Sequence, residues 1–194
     1  MKKTYYYFLT FIIIIILIPF ILYFCCKLYN NTYHHFWSTQ PVSFFYTFKI
    51  KDGIISDKRP PKPIKNNNYN LQRFTSDDEK LEEIISLLNN NYSTTDNCTY
   101  HYDNDYGKWI FKSEHGEKLN LYLSENSKII GCITSRSTTL TVNGNKLRCL
   151  YVDNLCVEKS YRSKGLAPIL ISHMSNYGFD KGYNLFVYQK ICYL

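Results

Sequence analysis

From Tyr5 to Cys26 no charged residue interrupts the chain, and Ile12 to Ile16 is an unbroken aliphatic run. At a rise of about 1.5 Å per residue, a helix of this length spans a bilayer, with Tyr5, Tyr6, Tyr7 and Tyr23 at the interfaces. A cleaved signal peptide has a shorter apolar run and small residues at the cut. The exit here is Tyr23-Phe24-Cys25-Cys26-Lys27, which is bulky, so residues 1–30 read as an uncleaved anchor. The apolar pattern next turns helical at Leu81, Ile84, Ile85, Leu87 and Leu88, and Asn89-Asn90-Asn91 stops it. Ser76 and Glu79 fit a capping box ahead of that helix. Lys108-Trp109-Ile110-Phe111 forms a short helix. The period then falls to two. Leu119–Leu123 is a strand, Ser124–Ser127 a hairpin turn, Lys128–Arg136 a second strand and Thr138–Val142 a third. Gly131, inside the second strand, predicts a close backbone approach. Asn143-Gly144 predicts a type I′ turn into a strand over Leu147–Val157. Leu166, Ile169, Leu170 and Met174 restore the helical period, with Pro168 in the first turn, where a missing N–H costs nothing. Tyr183–Tyr193 ends the pattern as a strand that lies parallel to 147–157 and splays from it to admit a ligand.

Between anchor and first core helix the pattern lapses. Residues 43–73 read as a linker: Asp52-Gly53 is a turn, Arg59-Pro60-Pro61-Lys62-Pro63 is extended, and Asn66-Asn67-Asn68 is low complexity. Composition changes this picture little. With 194 residues and 45% hydrophobic content, the chain holds one domain of ordinary size beside the anchor. The 19 Tyr and the many Asn reflect composition bias, and the glycosylation sequons at Asn30, Asn91 and Asn97 follow from it. A net charge of +7 suits an anionic cofactor or a membrane surface. Without a long basic cluster or zinc spacing, nucleic acid is not expected. The 7 Cys fall without regular spacing, which argues against a disulfide scaffold. Cys156 reads as a buried strand residue rather than a nucleophile. No metal is expected: His34 and His35 are adjacent but have no partner at ligand spacing.

The chemistry concentrates where the strand ending at Val157 meets the helix beginning near Leu166. Arg162-Ser163-Lys164-Gly165 lies between them. Backbone N–H groups at a helix start suit a phosphate, Gly165 lets the backbone come close, and Arg162 and Lys164 add charge. The spacing Arg162-x-x-Gly165-x-Ala167 resembles the pyrophosphate loop of the GNAT acyltransferases. Asn154-Leu155-Cys156-Val157 followed by Arg162-Ser163-Lys164 and Leu166-Ala167-Pro168 resembles the signature of the N-myristoyltransferases, a GNAT-like family. Phe36-Trp37-x-Thr39-Gln40-Pro41-Val42 resembles the segment that opens that family's catalytic core, and the two strings stand in the family's order. Leu87-Leu88-Asn89-x-Asn91-Tyr92 is similar to its first helix and following loop.

The resemblance covers residues 33–194 and implies an α+β fold. It would be a GNAT-like acyl-CoA N-acyltransferase domain with a mixed, mainly antiparallel sheet, preceded by one transmembrane helix. The expected organisation is an anchor at 1–30, an aromatic segment and Pro/Asn-rich strap at 31–73, and the acyl-CoA-binding domain at 74–194. The implied activity is transfer of myristate from myristoyl-CoA to the N-terminal glycine of a protein. His35, Phe36 and Trp37 would line the acyl-CoA, together with Cys156 and Val157. Arg162, Ser163, Lys164, Gly165, Leu166 and Ala167 would hold its phosphates. The backbone amides of Asn154 and Leu155 would form the oxyanion hole. The family has Arg at Gly165, Phe at Asn154, Asn at Asp153 and Thr at Gln189. It also has a second half, whose terminal carboxylate is the general base. Asp153 or the Leu194 carboxylate is the expected replacement here, and a second subunit supplying the missing half is an expected partner. A catalytically inactive acyl-CoA-binding membrane protein and a generic GNAT N-acetyltransferase are the alternatives. Expected partners are thus a glycine-terminal peptide and the membrane, in single-pass form. Lys2 and Lys3 argue for a domain outside the cytoplasm, whereas acyl-CoA argues for a cytosolic one.

Overall fold

The computed structural model describes residues 2–33, 59–95, 98–99, 101–112 and 116–188. The chain divides into two compact units, Met1–Asp57 and Lys58–Leu194. In the first, helix α1 runs from Lys2 to Tyr33 with Pro19 inside it. Its segment Tyr6–Tyr29, 24 residues, is long and apolar enough to cross a membrane.

The second unit is a mixed five-stranded sheet with helices on both faces. Its strands are β1 (Asn70–Arg73), β4 (Lys118–Glu125), β5 (Lys128–Val142), β6 (Asn145–Val157) and β7 (Phe186–Tyr188), in the spatial order β1-β4-β5-β6-β7. Short β2 (Ser93–Thr95) and β3 (Cys98–Thr99) pair separately. The helices are α2 (Leu81–Asn91), α3 (Asn104–Phe111) and α4 (Leu166–Asp180), with a 3-10 turn at Lys159–Tyr161. All neighbours in the large sheet are antiparallel except β6 and β7, which are parallel, as the sequence pattern predicts.

Alternation assigns the two faces. Leu119, Leu121, Leu123 and Ile133 meet Leu166, Ile169, Leu170 and Met174 of α4. Tyr122, Cys132 and Cys156 meet Leu81, Ile84, Ile85 and Leu88 of α2, and Phe111 of α3. Each fully buried Leu or Ile contributes roughly 1.5–3 kcal/mol. A Cβ on Gly131 would come 3.2 Å from the Cys156 carbonyl, which is the close approach its place in a strand predicts. Asn143 (φ 50°) and Gly144 (φ 79°) make the predicted turn.

Four expectations need correction. Asn70–Arg73, the end of the expected linker, is an edge strand, because Leu71 pairs with Leu123 on β4. Lys128–Arg136 and Thr138–Val142 are one strand: Ser137 continues the ladder opposite Leu150. The first hairpin turns at Asn126-Ser127, both at positive φ, so β4 runs on through Glu125. The capping box does not form. α2 starts at Leu81, after a turn in which Asp78 Oδ1 accepts from the Lys80 N–H at 2.8 Å, while the Ser76 hydroxyl donates to Asp77.

Residues 59–66 run along α4 and are fastened to it at intervals. Arg59 pairs with Asp180 at 2.6 Å, the Asn176 amide donates to the Pro61 carbonyl at 2.7 Å, and the Ile64 N–H donates to the Ser172 hydroxyl at 3.1 Å. Extended Pro-rich chain offers unpaired carbonyls, and polar side chains on the outer face of α4 take them up.

Candidate active site

The site begins with an irregularity in β6. Thr134 of β5 pairs with Asn154, but the next residue, Ser135, pairs with Val152, so Asp153 is an extra residue in the ladder. A bulge of this kind bends the strand and re-aims its side chains. Beyond it the Glu158 N–H donates to the Ile130 carbonyl at 2.9 Å. Alternation then turns the Asn154 and Cys156 backbone groups toward β5, and those of Leu155 and Val157 toward the opposite edge. On that edge the described part of β7 runs to Tyr188, opposite Val152. From Asp153 to Val157 the outer edge therefore carries no partner strand among the described residues.

Around the bulge lies a polar cluster that interrupts the core. Asn154 and Thr134 are buried, and the Thr134 hydroxyl accepts from both the Asn154 N–H and its side-chain amide, each at 3.1 Å. The Tyr102 hydroxyl reaches Asn154 Oδ1 at 3.4 Å. Asn89 fixes Tyr102 in turn, accepting from its N–H at 2.7 Å and donating to its carbonyl at 2.8 Å. Asn120, opposite Thr134 on β4, is buried, and neither its side-chain oxygen nor its nitrogen has a hydrogen-bond partner among the described residues.

Asp153 stands beside this cluster, 3.5 Å from the Arg136 guanidinium. Burial raises its carboxyl pKa, and Arg136 and Lys118 hold the rise back. Burial lowers the Lys118 ammonium, with Asp153 opposing, and its Nζ donates to the Ile110 carbonyl at 2.9 Å. A carboxylate made more basic by burial, next to two cations that keep it charged, can hold an ammonium or take a proton from one.

The loop after β6 is built from positive-φ backbone. Ser163 stands at φ 63° and Gly165, the residue that opens α4, at φ 78°. Among the described residues no side chain caps α4, and none has an atom within 4 Å of a Cβ placed on Gly165. First-turn amides on the positive end of a helix dipole, behind an open glycine, are chemically suited to an anion. Lys164 adds charge at the rim, with its Nζ 4.4 Å from the Tyr161 ring. Tyr161 donates to Glu125, and that hydrogen bond pushes its pKa up to about 12.

Arg162 does something else. Its guanidinium donates to the Asn91 carbonyl at 2.7 Å and to the Val157 carbonyl at 3.4 Å. The Asn91 side chain accepts from the Lys159 N–H at 3.0 Å. Arg162 and Asn91 thus clamp the end of α2 to the loop, and this Arg satisfies one helix-end and one strand-end carbonyl. Cys156 is 2% exposed and burial raises its thiol to about 11, as expected of a core residue and not of a nucleophile.

The structure brings Asp153, Asn154, Leu155, Cys156, Val157 and the segment 162–167 together on one strand–loop–helix unit. His35, Phe36 and Trp37 lie outside the described residues, as do Gln189 and Leu194. Sequence reasoning missed Thr134, Tyr102, Asn89, Asn91, Arg136 and Lys118. Only Thr134 carried a signal, as the polar residue that ends the run Ile129–Ile133. Two surface hollows, of about 500 and 190 Å³, lie along β1 and beside the strap; neither is lined by β6 or the loop.

Residues 54–187 match the model of the myristoyl-CoA:protein N-myristoyltransferase N-terminal domain. The chain belongs to that family. Glycylpeptide N-tetradecanoyltransferase of Kluyveromyces lactis is 33% identical over 154 residues, covering 73% of this chain and 34% of the relative. The Saccharomyces cerevisiae enzyme of the same name is 29% identical over the same span. The chain therefore spans about a third of the length of these relatives. A crystal structure of S. cerevisiae N-myristoyltransferase with bound myristoyl-CoA superposes with a TM-score of 0.67 at 26% identity, over 83% of this chain and 41% of that one. An aminoglycoside acetyltransferase from a soil metagenome superposes at 0.51 with 18% identity, over 65% of this chain and 80% of that one, and shares the fold alone. The acyl-CoA N-acyltransferase fold read from the sequence is thereby established for this N-myristoyltransferase-family domain.

Proposed function

We propose that this chain binds myristoyl-CoA and transfers the acyl group to an N-terminal glycine. The observation that carries the reading is the bulge at Asp153 followed by an outer β6 edge and an uncapped Gly165 loop on the same unit. The pantetheine would run along that edge, where the Leu155 N–H is directed. The phosphates would meet the amides of Gly165, Leu166 and Ala167 and the Lys164 ammonium. Such fit supports an acyl-CoA as co-substrate, and membership of the family favours a long acyl chain.

In the proposed reaction Asp153 takes a proton from the glycine ammonium. The free amine attacks the thioester carbonyl, and negative charge develops on its oxygen. The Leu155 N–H stabilises that charge as it forms. The Asn154 N–H joins it only after leaving the Thr134 hydroxyl, so the two amides are unequal donors. Collapse forms the amide and releases the CoA thiol. The soluble domain sits on the cytosolic side in this reading, with α1 as a membrane anchor.

A second reading is binding without transfer. The Arg136 ion pair favours it, because a carboxylate held by a guanidinium is a weaker acceptor for the amine proton. Calorimetry of the full chain in nanodiscs, with myristoyl-CoA and acetyl-CoA, tests the site. Preferential binding of the long chain, weakened in Lys164→Ala, supports it; equal binding indicates an ordinary acetyltransferase site, and no binding sinks both readings. Single-turnover assay with a glycyl peptide then separates transfer from binding, with Asp153→Asn expected to abolish transfer and leave affinity within about twofold.

A further inference from the structure

The end of α1 carries a feature that acyl transfer does not use. The apolar stretch that begins at Tyr5 meets its first charged residue at Lys27, directly after Cys25 and Cys26. Cys25 is exposed, Cys26 is half-buried, and both are free thiols. Neither belongs to a hydrophobic core, unlike Cys132, Cys149 and Cys156 of the domain. Neighbouring residues on a helix diverge by about 100°, so the pair does not close on itself and covers a broad arc of the helix surface. In a helix that crosses a bilayer, the residue pair before the first Lys stands at the boundary between acyl chains and headgroups.

We propose that Cys25 and Cys26 are S-acylated by long-chain fatty acyl-CoA. The proposal rests on the reading above, which puts the domain, and with it this end of α1, on the side of the membrane that holds acyl-CoA. In each transfer the thiolate sulfur attacks the thioester carbonyl carbon. The new S–C bond forms, the C–S bond to CoA breaks, and the thiol proton ends on the CoA sulfur. No redox partner is involved. Juxtamembrane cysteines are chemically suited to this reversible modification, since the product chains extend directly into lipid. Each added chain strengthens membrane attachment with every methylene it buries in the bilayer. Two such chains hold the Lys27 end of α1 at the interface and oppose sliding of a helix whose apolar run could otherwise shift along the bilayer normal.

The test uses the full chain in eukaryotic cells fed an alkyne-tagged palmitate, followed by acyl-exchange mass tagging. Wild type is expected to carry hydroxylamine-sensitive label and a doubly shifted band. Cys25→Ser and Cys26→Ser each lose one shift, and the double variant loses both. Label that resists hydroxylamine, label that persists in the double variant, or a pair found only as a reducible dimer overturns the proposal. Protease protection in sealed microsomes reads the side of the domain separately. Unlabelled cysteines with a cytosolic domain defeat the S-acylation proposal alone; unlabelled cysteines with a lumenal domain defeat the topology as well.

Discussion

The two faces of the sheet are built from the same three strands and do different things. Under α4, Leu119, Leu121 and Leu123 of β4 and Ile133 of β5 make a continuous apolar layer. On the opposite face, the row Tyr122–Cys132–Cys156 is still core, but the next row is Asn120–Thr134–Asn154 and the one after it begins with Lys118 and Arg136. Moving along the strands toward the bulge, that face changes from apolar through buried polar to charged. The first face is therefore scaffold and tolerates only volume-conserving change. The second holds groups whose mutual hydrogen bonds fix Asn154 and whose charges surround Asp153. Ser135, buried under α4, is satisfied by the Leu119 carbonyl at 2.9 Å; a whole buried polar row has a stability cost unless satisfied, so its presence on the opposite face points to a task there.

The contrast breaks most visibly in stability. Leu170, fully buried on α4, is expected to cost about 3 kcal/mol as Leu170→Ala, read as a lowered denaturation midpoint. Thr134→Val on the polar face keeps the shape but strands the Asn154 N–H and side-chain amide, at about 2 kcal/mol. Asn120→Leu should go the other way. It removes two buried polar atoms that have no partner among the described residues, and a gain of about 1 kcal/mol is expected. A loss instead would mean that Asn120 has a partner, such as a buried water, and the polar row would then be a complete network.

The loop offers a finer division, between a residue that holds the loop and one proposed to meet the acyl-CoA phosphates. Arg162→Ala should destabilise by about 2 kcal/mol, because it leaves the Asn91 carbonyl unpaired at the end of α2, and Arg162→Lys should not restore the fork of two bonds. Lys164→Ala should leave the midpoint unchanged and weaken acyl-CoA binding severalfold, less so at high salt. Gly165→Ala combines strain at φ 78° with a methyl group in the open seat, and about a tenfold loss of affinity is expected. Equal loss of stability and binding in all three would erase the distinction between clamp and seat.

Much of the scaffold was legible in the sequence, because hydrophobic period maps directly onto helix and strand. Leu166, Ile169, Leu170 and Met174 fall on one face of α4 as their spacing requires, and Asn143-Gly144 turns as its residue types require. The shape of the loop before α4 was legible too, since Gly165 carries the local signal of a positive-φ turn into a helix, as its φ of 78° bears out. What could not be read was anything set by register. Asp153 becomes a bulge only because Ser135 pairs with Val152, and Arg162 turns to Asn91 across 71 positions of sequence. Asn89 and Asn91 read as a helix stop in an Asn-rich chain, and nothing local distinguishes them from Asn90, whose amide reaches Ser86 on the same helix. Strand continuity through Ser137 was hidden for the same reason: a polar residue in an exposed hairpin arm looks like a break.

The smallest expected effect is also the one that separates the faces by sign. Glu117, at the scaffold side, has its carboxyl pKa lowered, first by the hydrogen bond from Lys181 and then by the Tyr183 hydroxyl. A lowered value means that the unfolded chain binds the proton more tightly, so this group stabilises the fold above its unfolded pKa and ceases to as pH falls through its folded one. Asp153 has a raised value, caused by burial, so the native state binds its proton more tightly. It costs stability above its folded pKa, and the cost disappears as pH falls below its unfolded one. Glu117→Gln should therefore lower stability at neutral pH by about 0.5 kcal/mol and leave it unchanged in acid. Asp153→Asn should leave stability equal or slightly higher at neutral pH, with the difference again vanishing in acid. Denaturant titrations of both variants across the carboxylate range read the two signs directly. Parallel losses would mean that the Arg136 pair outweighs burial at Asp153, and the carboxylate proposed as the base would then be a structural one.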